Sequence, residues 1–247
     1  MIVVIPFTPP RPGLVLQSLV ESTPVTDEEA VGLYEAATAD VLRAAADSGG
    51  DVLVNYRDEE TLPEGLEVDG EQAETEARSL ASDVLGDDSA IRFERQVGTT
   101  RAARVGNTVT HLLEREEATS VGVLEPTAPL VARTEIDSAA MSLRRHDAVF
   151  GPSLGGDVYL ACFNTSIDFT DAYESPVFST LVDESRNAGL DVGFVQLLPT
   201  IETECGLATT IAGLRARLRA GRPGGEVTTS VLDELELLVG EGGSIER

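Results

Sequence analysis

The chain has 247 residues, with 43 Asp and Glu against 18 basic side chains, and its formal net charge is −25. A surface of this charge repels nucleic acids and anionic lipids, so we expect neither as a partner. No apolar run approaches the roughly 18 residues of a membrane span, and the first six residues lack the basic start of a signal peptide. We therefore expect a cytoplasmic protein.

All 18 basic residues are arginine and none is lysine. The acids are spread along the whole chain, which indicates a solvated acidic shell around a folded core and not a low-complexity tail. At about 1 M salt the Debye length contracts to roughly 3 Å, so such a shell is tolerated and keeps the protein soluble. Arginine pairs bidentately with carboxylates and is less strongly hydrated than lysine. The composition therefore predicts a halophilic, salt-rich cytoplasm.

Short β-branched runs alternate with helical stretches along most of the chain. Strands are predicted over residues 2–5, 51–56, 90–96, 120–124, 147–150, 157–163 and 191–197. Helices are predicted over residues 30–46, 72–85, 99–116, 134–146 and 176–188. Thr26 and Glu29 form a capping-box pattern before the first helix, and Gly189 fits a terminator after the last. This alternation predicts an α/β fold, with a mainly parallel, twisted sheet and helices on both faces.

Only residues 151–156 separate the fifth and sixth predicted strands. A parallel crossover needs about a dozen residues or more, so this pair is either antiparallel or displaced across the sheet. Further on, residues 219–226 are a glycine-rich hinge, and residues 231–239 are predicted as a terminal helix. We expect one α/β domain over residues 1–219, with residues 220–247 forming the hinge and a helix packed on that domain.

Familiar catalytic motifs fit the chain poorly. Residues 151–155 (GPSLG) have the spacing of a nucleophile elbow around Ser153, but a strand follows where a helix is required. Both histidines, His111 and His146, also precede this serine, and the elbow requires the reverse order. Neither a P-loop lysine nor a G-x-G-x-x-G after the first strand is present. Two histidines at helical positions give little support to a histidine-rich zinc site.

The loops that follow the strands carry the candidate binding groups, since open α/β sheets bind ligands at the carboxyl ends of their strands. Arg11 stands in a stiff proline-rich segment, where its guanidinium either pairs with a phosphate or binds a neighbouring surface acid. Asp157 and Glu202 lie at strand termini, where two convergent carboxylates would hold a Mg²⁺ that binds substrate phosphates. In a chain with 43 acids, chance carboxylates are the competing interpretation.

Several short pieces of the sequence, taken in order, resemble one family. They are PRPG at residues 10–13, LYEA at 33–36, Gln96 followed by a helix bearing Arg104, LRRHDAVFGP at 143–152, YL at 159–160, FSTLV at 178–182 and ET at 202–203. From the first strand to about Gly213, the chain is similar to the glycosyltransferase-A-like proteins of bacteria and archaea. These are relatives of nucleotide-sugar transferases and sugar-phosphate nucleotidyltransferases. The resemblance implies the nucleotide-diphospho-sugar transferase fold, with the same α/β sheet that the periodicity predicts.

The departures from this family fall on its charged groups. Residues 16–18 (LQS) replace a basic pair, and Thr127 stands in place of a metal-binding aspartate. The family's Asp-Gly-Gly becomes Gly-Gly-Asp, which moves the acid two positions along the chain to Asp157. In the final motif Glu202 keeps a single charge on a longer arm. These departures remove charged groups that the family would use for metal binding and catalysis, and they do not change the predicted fold.

Two functions remain open, and with them the question of whether the protein is an enzyme. The first is a transferase that binds a nucleotide or nucleotide-sugar, with Arg11 and Arg104 on the phosphates and with Mg²⁺ or Mn²⁺ held by Asp157 and Glu202. The other residues of this predicted substrate site are Gly13, Thr127, Ser153, Gly155 and Gly156. The second is a non-catalytic descendant of the fold that lost its positive and metal-binding groups together and serves in binding, regulation or assembly.

Overall fold

The computed structural model describes residues 1–66, 72–86 and 90–247. Its central strands are β1 (Ile2–Phe7), β2 (Asp51–Tyr56), β3 (Arg92–Arg95), β4 (Val121–Leu124), β5 (Ala148–Pro152), β6 (Val158–Phe163) and β7 (Val192–Phe194). They form one seven-stranded sheet in the order β3-β2-β1-β4-β6-β5-β7. All seven predicted strands are confirmed, with bounds that differ by a few residues.

The sheet is mainly parallel, as predicted. β1 pairs in parallel with β2 and β4, β2 with β3, and β5 with β7. Among the described strands of this sheet, only β6 runs antiparallel, between β4 and β5, because its short connection from β5 leaves no room for a crossover. The start of β6 therefore lies at the same edge as the ends of β4 and β5. The candidate site occupies this edge.

Helices cover both faces of the sheet, which confirms the predicted layering. They are α1 (Gln17–Ser22), α2 (Asp27–Ala46), α3 (Gln72–Leu85), α4 (Arg101–Glu114), α5 (Arg133–Ser142), α6 (Val177–Asn187), α7 (Glu204–Arg219) and α8 (Glu226–Glu234). Val3 and Ile5 share one apolar cluster with Leu33 of α2, whereas Val4 shares the other with Val109 of α4. Because alternate side chains of a strand point to opposite faces, β1 is buried on both sides.

The predicted capping box and the predicted glycine terminator are both present at the helix ends where the sequence places them. The Thr26 hydroxyl accepts a hydrogen bond from the Glu29 backbone N–H at 3.3 Å, and the Glu29 carboxylate accepts one from the Thr26 N–H at 2.9 Å. This capping box satisfies two backbone donors at the start of α2. Gly189 follows α6 with a φ of +78°, a conformation that glycine adopts without steric cost.

The end of the chain differs from the prediction. The helix expected over residues 231–239 is α8, which begins at Glu226, and Leu238–Val239 instead forms β8, paired with β9 (Ile245–Glu246). Asp40 of α2 accepts the backbone N–H groups of Val227 and Thr228 at the start of α8. The bounds of α8 thus depend on a contact between residues far apart in the sequence, which local periodicity does not reveal.

Two further helices, α1 and α7, have no counterpart among the predicted ones. α8 packs against α2, and the division of the chain at residues 219 and 220 stays a prediction. Within the described ranges, no helix combines the length and the apolarity that crossing a bilayer requires.

Candidate functional site

A cavity of about 170 Å³ opens at the carboxyl edge of the sheet. Its walls come from the ends of β1 and β2, the loops after β3 and β4, the first turn of α4, one side chain of α2 and the segment that precedes α7. The lining residues are Pro6, Thr8, Tyr34, Asn55, Gln96, Arg101, Arg104, Val105, Glu125, Pro126, Thr127 and Glu202. Ligands of open α/β sheets bind at this edge.

A second cavity, of about 250 Å³, adjoins the first. It is lined by the loop and first turn at residues 14–18, and it shares Thr8, Tyr34, Thr127 and Glu202 with the first cavity. The two cavities therefore form one cleft with two compartments. Glu202 stands where the compartments meet.

Arg101 is the first residue of α4 and crosses the floor of the first cavity towards β4. Its Nη2 donates a hydrogen bond to Oε1 of Glu125 at 2.8 Å, and the two side chains are 37% and 10% exposed. The guanidinium also lies 5.0 Å from the centre of the Tyr173 ring, in a cation–π contact. The Glu125 carboxylate is the main reason that the pKa of Arg101 is raised above its ordinary value.

The charges of three carboxylates act on this arginine, and Glu125 is the one in contact with it. Burial raises the pKa of Glu125, the charge of Arg101 lowers it, and the charge of Asp157 raises it further. The pKa of Glu202 is raised to about 7, first by burial and then by the charge of Glu125, while Arg101 opposes this rise and Asp157 adds to it. Oε1 of Glu202 also accepts a hydrogen bond from the Thr127 hydroxyl at 3.1 Å. Glu125, Asp157 and Glu202 thus act on one another and on Arg101.

The wall of the first cavity that α4 forms carries a second arginine. Arg104, one turn along α4 from Arg101, donates to the carbonyl oxygen of Thr99 at 3.2 Å. Its pKa is lowered by burial and by the neighbouring charges of Arg57 and Arg101. Within the described ranges, no carboxylate forms an ion pair with Arg104. In a chain with 43 acids and 18 arginines, an arginine left without a carboxylate and facing a cavity marks a position for an external anion.

Neutral polar side chains fix the back of the same cavity. Gln96 donates to the Asn55 carbonyl oxygen at 2.6 Å, and Oδ1 of Asn55 accepts from the Thr108 hydroxyl at 2.9 Å. The Thr8 backbone N–H donates to the Tyr34 hydroxyl at 3.0 Å. These bonds link the end of β2 to the middle of α4 and to the segment after β3, and they link the segment after β1 to α2.

The predicted site residues divide into two groups. Arg104, Thr127 and Glu202 line the cleft, and Asp157 is close enough to Glu202 and Arg101 to shift their pKa values. Arg11 lines neither cavity. Its guanidinium pairs with both carboxylate oxygens of Glu59, at 2.7 and 2.6 Å, and is held further by Glu76 and the carbonyl oxygen of Leu66.

The other four predicted residues form turns beside the cleft and line neither cavity. The Gly13 N–H donates to Asp27 at 3.1 Å. Ser153 is buried, and its hydroxyl accepts from the Thr200 N–H at 3.2 Å. Gly155 and Gly156 have φ values of +73° and +83° and turn the chain from β5 into β6. They position the start of β6, and therefore Asp157.

Sequence reasoning missed Arg101 and passed over Glu125. The available signals are positional, since Glu125 directly follows the buried strand β4 and Arg101 follows the Thr100 cap at the first position of α4. A charged residue directly after a buried strand or at the start of the following helix lies at the ligand-binding edge. The packing of α4 against β4 brings these two residues together.

The side chains do not fit a divalent cation as they are arranged. Magnesium prefers a shell of about six oxygen ligands, but the guanidinium of Arg101 is bonded to Glu125 and acts on Asp157 and Glu202. In the described part of the chain, no group of three or more acidic, histidine or cysteine side chains is placed to hold a metal ion. The cation expected at Asp157 and Glu202 stays a prediction.

Replacing Glu202 by Gln should change the pH dependence of stability. The pKa of Glu202 is about 7 in the folded protein against an ordinary 4.5, so between these values the folded state binds more protons than the unfolded chain. Stability then falls as the pH rises from about 4.5 to about 7. Glu202→Gln should remove this contribution and leave the variant on the order of 2 kcal/mol more stable at alkaline pH.

Urea unfolding in molar KCl at several pH values would measure this effect as the difference between the variant and the wild type. Glu21→Gln, on the exposed face of α1, is the matched control and should follow the wild type. A constant difference between Glu202→Gln and the wild type across the pH range would show that Glu202 does not titrate there.

No family model and no curated protein matches the chain. Among solved structures, a “putative nucleotide-diphospho-sugar transferase” from Desulfovibrio desulfuricans G20 is similar, with a TM-score of 0.73 and 20% identity over 95% of this chain and 94% of that one. A CMP:2-keto-3-deoxy-manno-octonic acid synthetase complexed with CTP has 10% identity over 87% of this chain and 98% of its own, with a TM-score of 0.48. A cytidylyltransferase from Leptospira borgpetersenii has 11% identity over 95% and 94%, with a TM-score of 0.46.

At these identities the likeness shows the fold alone, and the Desulfovibrio structure shares that fold over almost the whole length of both chains. The mainly parallel sheet and the helices on both of its faces agree with the architecture that the sequence resemblance implies. The chain has the nucleotide-diphospho-sugar transferase fold.

Proposed function

We propose that the protein is a transferase that binds a nucleotide or a nucleotide-sugar in the cleft at the carboxyl edge of its sheet. One observation carries the proposal: Arg104 faces the cavity with no carboxylate paired to it among the described residues, in a chain of net charge −25. A phosphate group is the small-molecule anion that an arginine fork binds best. The fold supports the same interpretation, because open α/β sheets bind nucleotides at this edge.

The two compartments suggest separate binding places for the nucleotide and for the acceptor. The phosphates of the nucleotide bind in the first cavity against Arg104, with Arg101 beside it. The acceptor binds in the second cavity, along residues 14–18. Glu202 lies between them, and its pKa of about 7 suits a general base that takes a proton from the acceptor at neutral pH.

A non-catalytic binding protein is the second candidate. It is favoured by the neutral residues 16–18 and by Thr127, which stand in the cleft where the resembling family carries charged groups. Such a protein would bind the nucleotide through Arg104 without turning it over. Ligand binding is therefore common to both candidates, and turnover separates them.

Calorimetric titration in molar KCl tests the proposal, with CTP, GTP, UDP-glucose and GDP-mannose as ligands. We expect one of them to bind, and Arg104→Gln to weaken it at least about tenfold through the loss of a charge-assisted contact worth about 1.5 kcal/mol or more. Arg144→Gln is the matched control, because Arg144 is exposed before β5 at the opposite edge of the sheet. It should bind like the wild type.

The result that overturns the proposal is the absence of binding at millimolar ligand, or equal affinity in Arg104→Gln and the wild type. For a ligand that binds, turnover is measured as phosphate or pyrophosphate release with sugar phosphates and alcohols as acceptors. Loss of turnover in Glu202→Gln with unchanged affinity would support the general-base role. Binding without any turnover would favour the non-catalytic candidate.

A further inference from the structure

The centre of the cleft holds one cation and three anions. Arg101 is hydrogen-bonded to Glu125 at 2.8 Å, and it lines the same cavity as Glu125 and Glu202. Asp157 enters from the start of β6, at the edge where β4 ends, and its charge acts on all three. Carboxylates that lie near one another repel each other unless a positive charge sits close to them. In this structure Arg101 supplies that charge.

Arg101 is also held in place. It follows Thr100, whose hydroxyl accepts the Ala103 N–H and fixes the first turn of α4. Tyr173 covers the guanidinium from one side, and Glu125 fixes its far end from the first position after β4. A guanidinium held by a helix start, a ring and a carboxylate is a built part of the site, in contrast to a mobile surface side chain.

We propose that Arg101 is the resident cation of this site and takes the place of a divalent metal ion. Its guanidinium offsets one of the negative charges of Glu125, Asp157 and Glu202, and an anionic ligand then binds against Arg101 and Arg104 with no bridging Mg²⁺ or Mn²⁺. A divalent ion is excluded because Glu125 is already bonded to the guanidinium, and because the described residues place no three acidic, histidine or cysteine side chains where they could hold a metal ion. The binding of an anionic ligand against Arg101 and Arg104 rests on the proposed function, whereas the exclusion of metal ions does not.

Manganese binding tests the exclusion directly, through the electron paramagnetic resonance signal of free Mn²⁺ in molar KCl. The amount of Mn²⁺ that each protein binds is compared with the amount bound by the same protein carrying Asp157→Asn, so that weak binding to the acidic surface cancels. For the wild type we expect the two amounts to be equal. Arg101→Met, which keeps the length of the side chain and removes its charge, should gain one site that binds Mn²⁺ at least about tenfold tighter than the surface does. Arg104→Met, which leaves Arg101 in place, should gain none.

A second measurement uses the wild type alone and does not depend on the folding of a variant. The nucleotide affinity should agree within about twofold between EDTA and Mg²⁺, since no bridging ion is used. A wild-type site for Mn²⁺ that Asp157→Asn removes would overturn the inference, as would nucleotide binding that requires Mg²⁺. A folded Arg101→Met that gains no site would also overturn it. If no nucleotide binds, the proposed function is wrong, whereas the Mn²⁺ measurement still tests whether Arg101 excludes a metal ion.

Discussion

Transfer from molar KCl to about 0.1 M KCl should unfold the protein or loosen it markedly, because the Debye length then grows to about 10 Å. At this distance many of the 43 carboxylates repel their neighbours, and 18 arginines cannot neutralise them. Arg11 already serves both Glu59 and Glu76, and Arg92 serves both Glu94 and Glu116. We expect salt to screen the repulsion that remains.

Thermal melts followed by circular dichroism across a KCl series would measure the effect. We expect the melting temperature to fall by at least about 10 °C between molar and 0.1 M salt, which corresponds to roughly 3 kcal/mol for a chain of this size. A parallel series in potassium sulfate at matched ionic strength is the control, because screening depends on ionic strength whereas surface exclusion is stronger for sulfate. A melting temperature that does not change with KCl would remove the halophile interpretation.

Elements that depend on nearby residues could be predicted from the sequence. The capping box of Thr26 and Glu29 and the glycine after α6 act within one turn of a helix, so their patterns carry the whole signal. The buried strands are predicted equally well, because β1 and β2 are short β-branched runs that are covered on both faces. The short connection between β5 and β6 excludes a parallel neighbour and leaves an antiparallel or a displaced pair, of which the antiparallel one is observed.

Contacts between distant residues explain what could not be predicted. For Arg11 the sequence leaves open a phosphate or a surface acid as the partner, and it does not show that Glu59, 48 residues further along the chain, takes its guanidinium. Arg101 looks like an ordinary helix residue until α4 packs against β4 and Arg101 meets Glu125. In a chain so rich in acids, each arginine has many possible partners. The fold decides which of them it contacts.

The attachment of the C-terminal segment depends on one buried carboxylate. Asp40 in α2 is 5% exposed, and it accepts hydrogen bonds from the backbone N–H groups of Val227 and Thr228 at 3.2 and 2.8 Å and from the Thr228 hydroxyl at 2.6 Å. These donors stand at the start of α8, where the helix dipole also favours a negative charge. Burial raises the pKa of Asp40, and the bonds from Thr228 oppose this rise.

Asp40→Ala should therefore be among the most destabilising single substitutions in the chain. Each hydrogen bond to a charged group contributes about 1.5–3 kcal/mol, and the release of a buried carboxylate offsets part of the loss, so we expect a net cost of about 2–4 kcal/mol. Urea unfolding in molar KCl gives the free energy. Asp47→Ala, at the solvent-exposed end of the same helix, is the matched control and should cost under about 0.5 kcal/mol.

A local measurement separates loss of the α8 contact from general destabilisation. If Asp40 holds α8 against α2, its replacement should speed tryptic cleavage after Arg219, in the segment that precedes α8, under conditions where the protein remains folded. Thr228→Val removes the hydroxyl donor and keeps the backbone bond, so it should cost about 1 kcal/mol and raise cleavage less. Asp40→Ala could instead lower stability while cleavage after Arg219 stays at the wild-type rate. This result would show that the carboxylate stabilises α2 itself. The C-terminal segment would then be held by its apolar contacts, such as those of Leu232 and Leu237 in the larger core cluster.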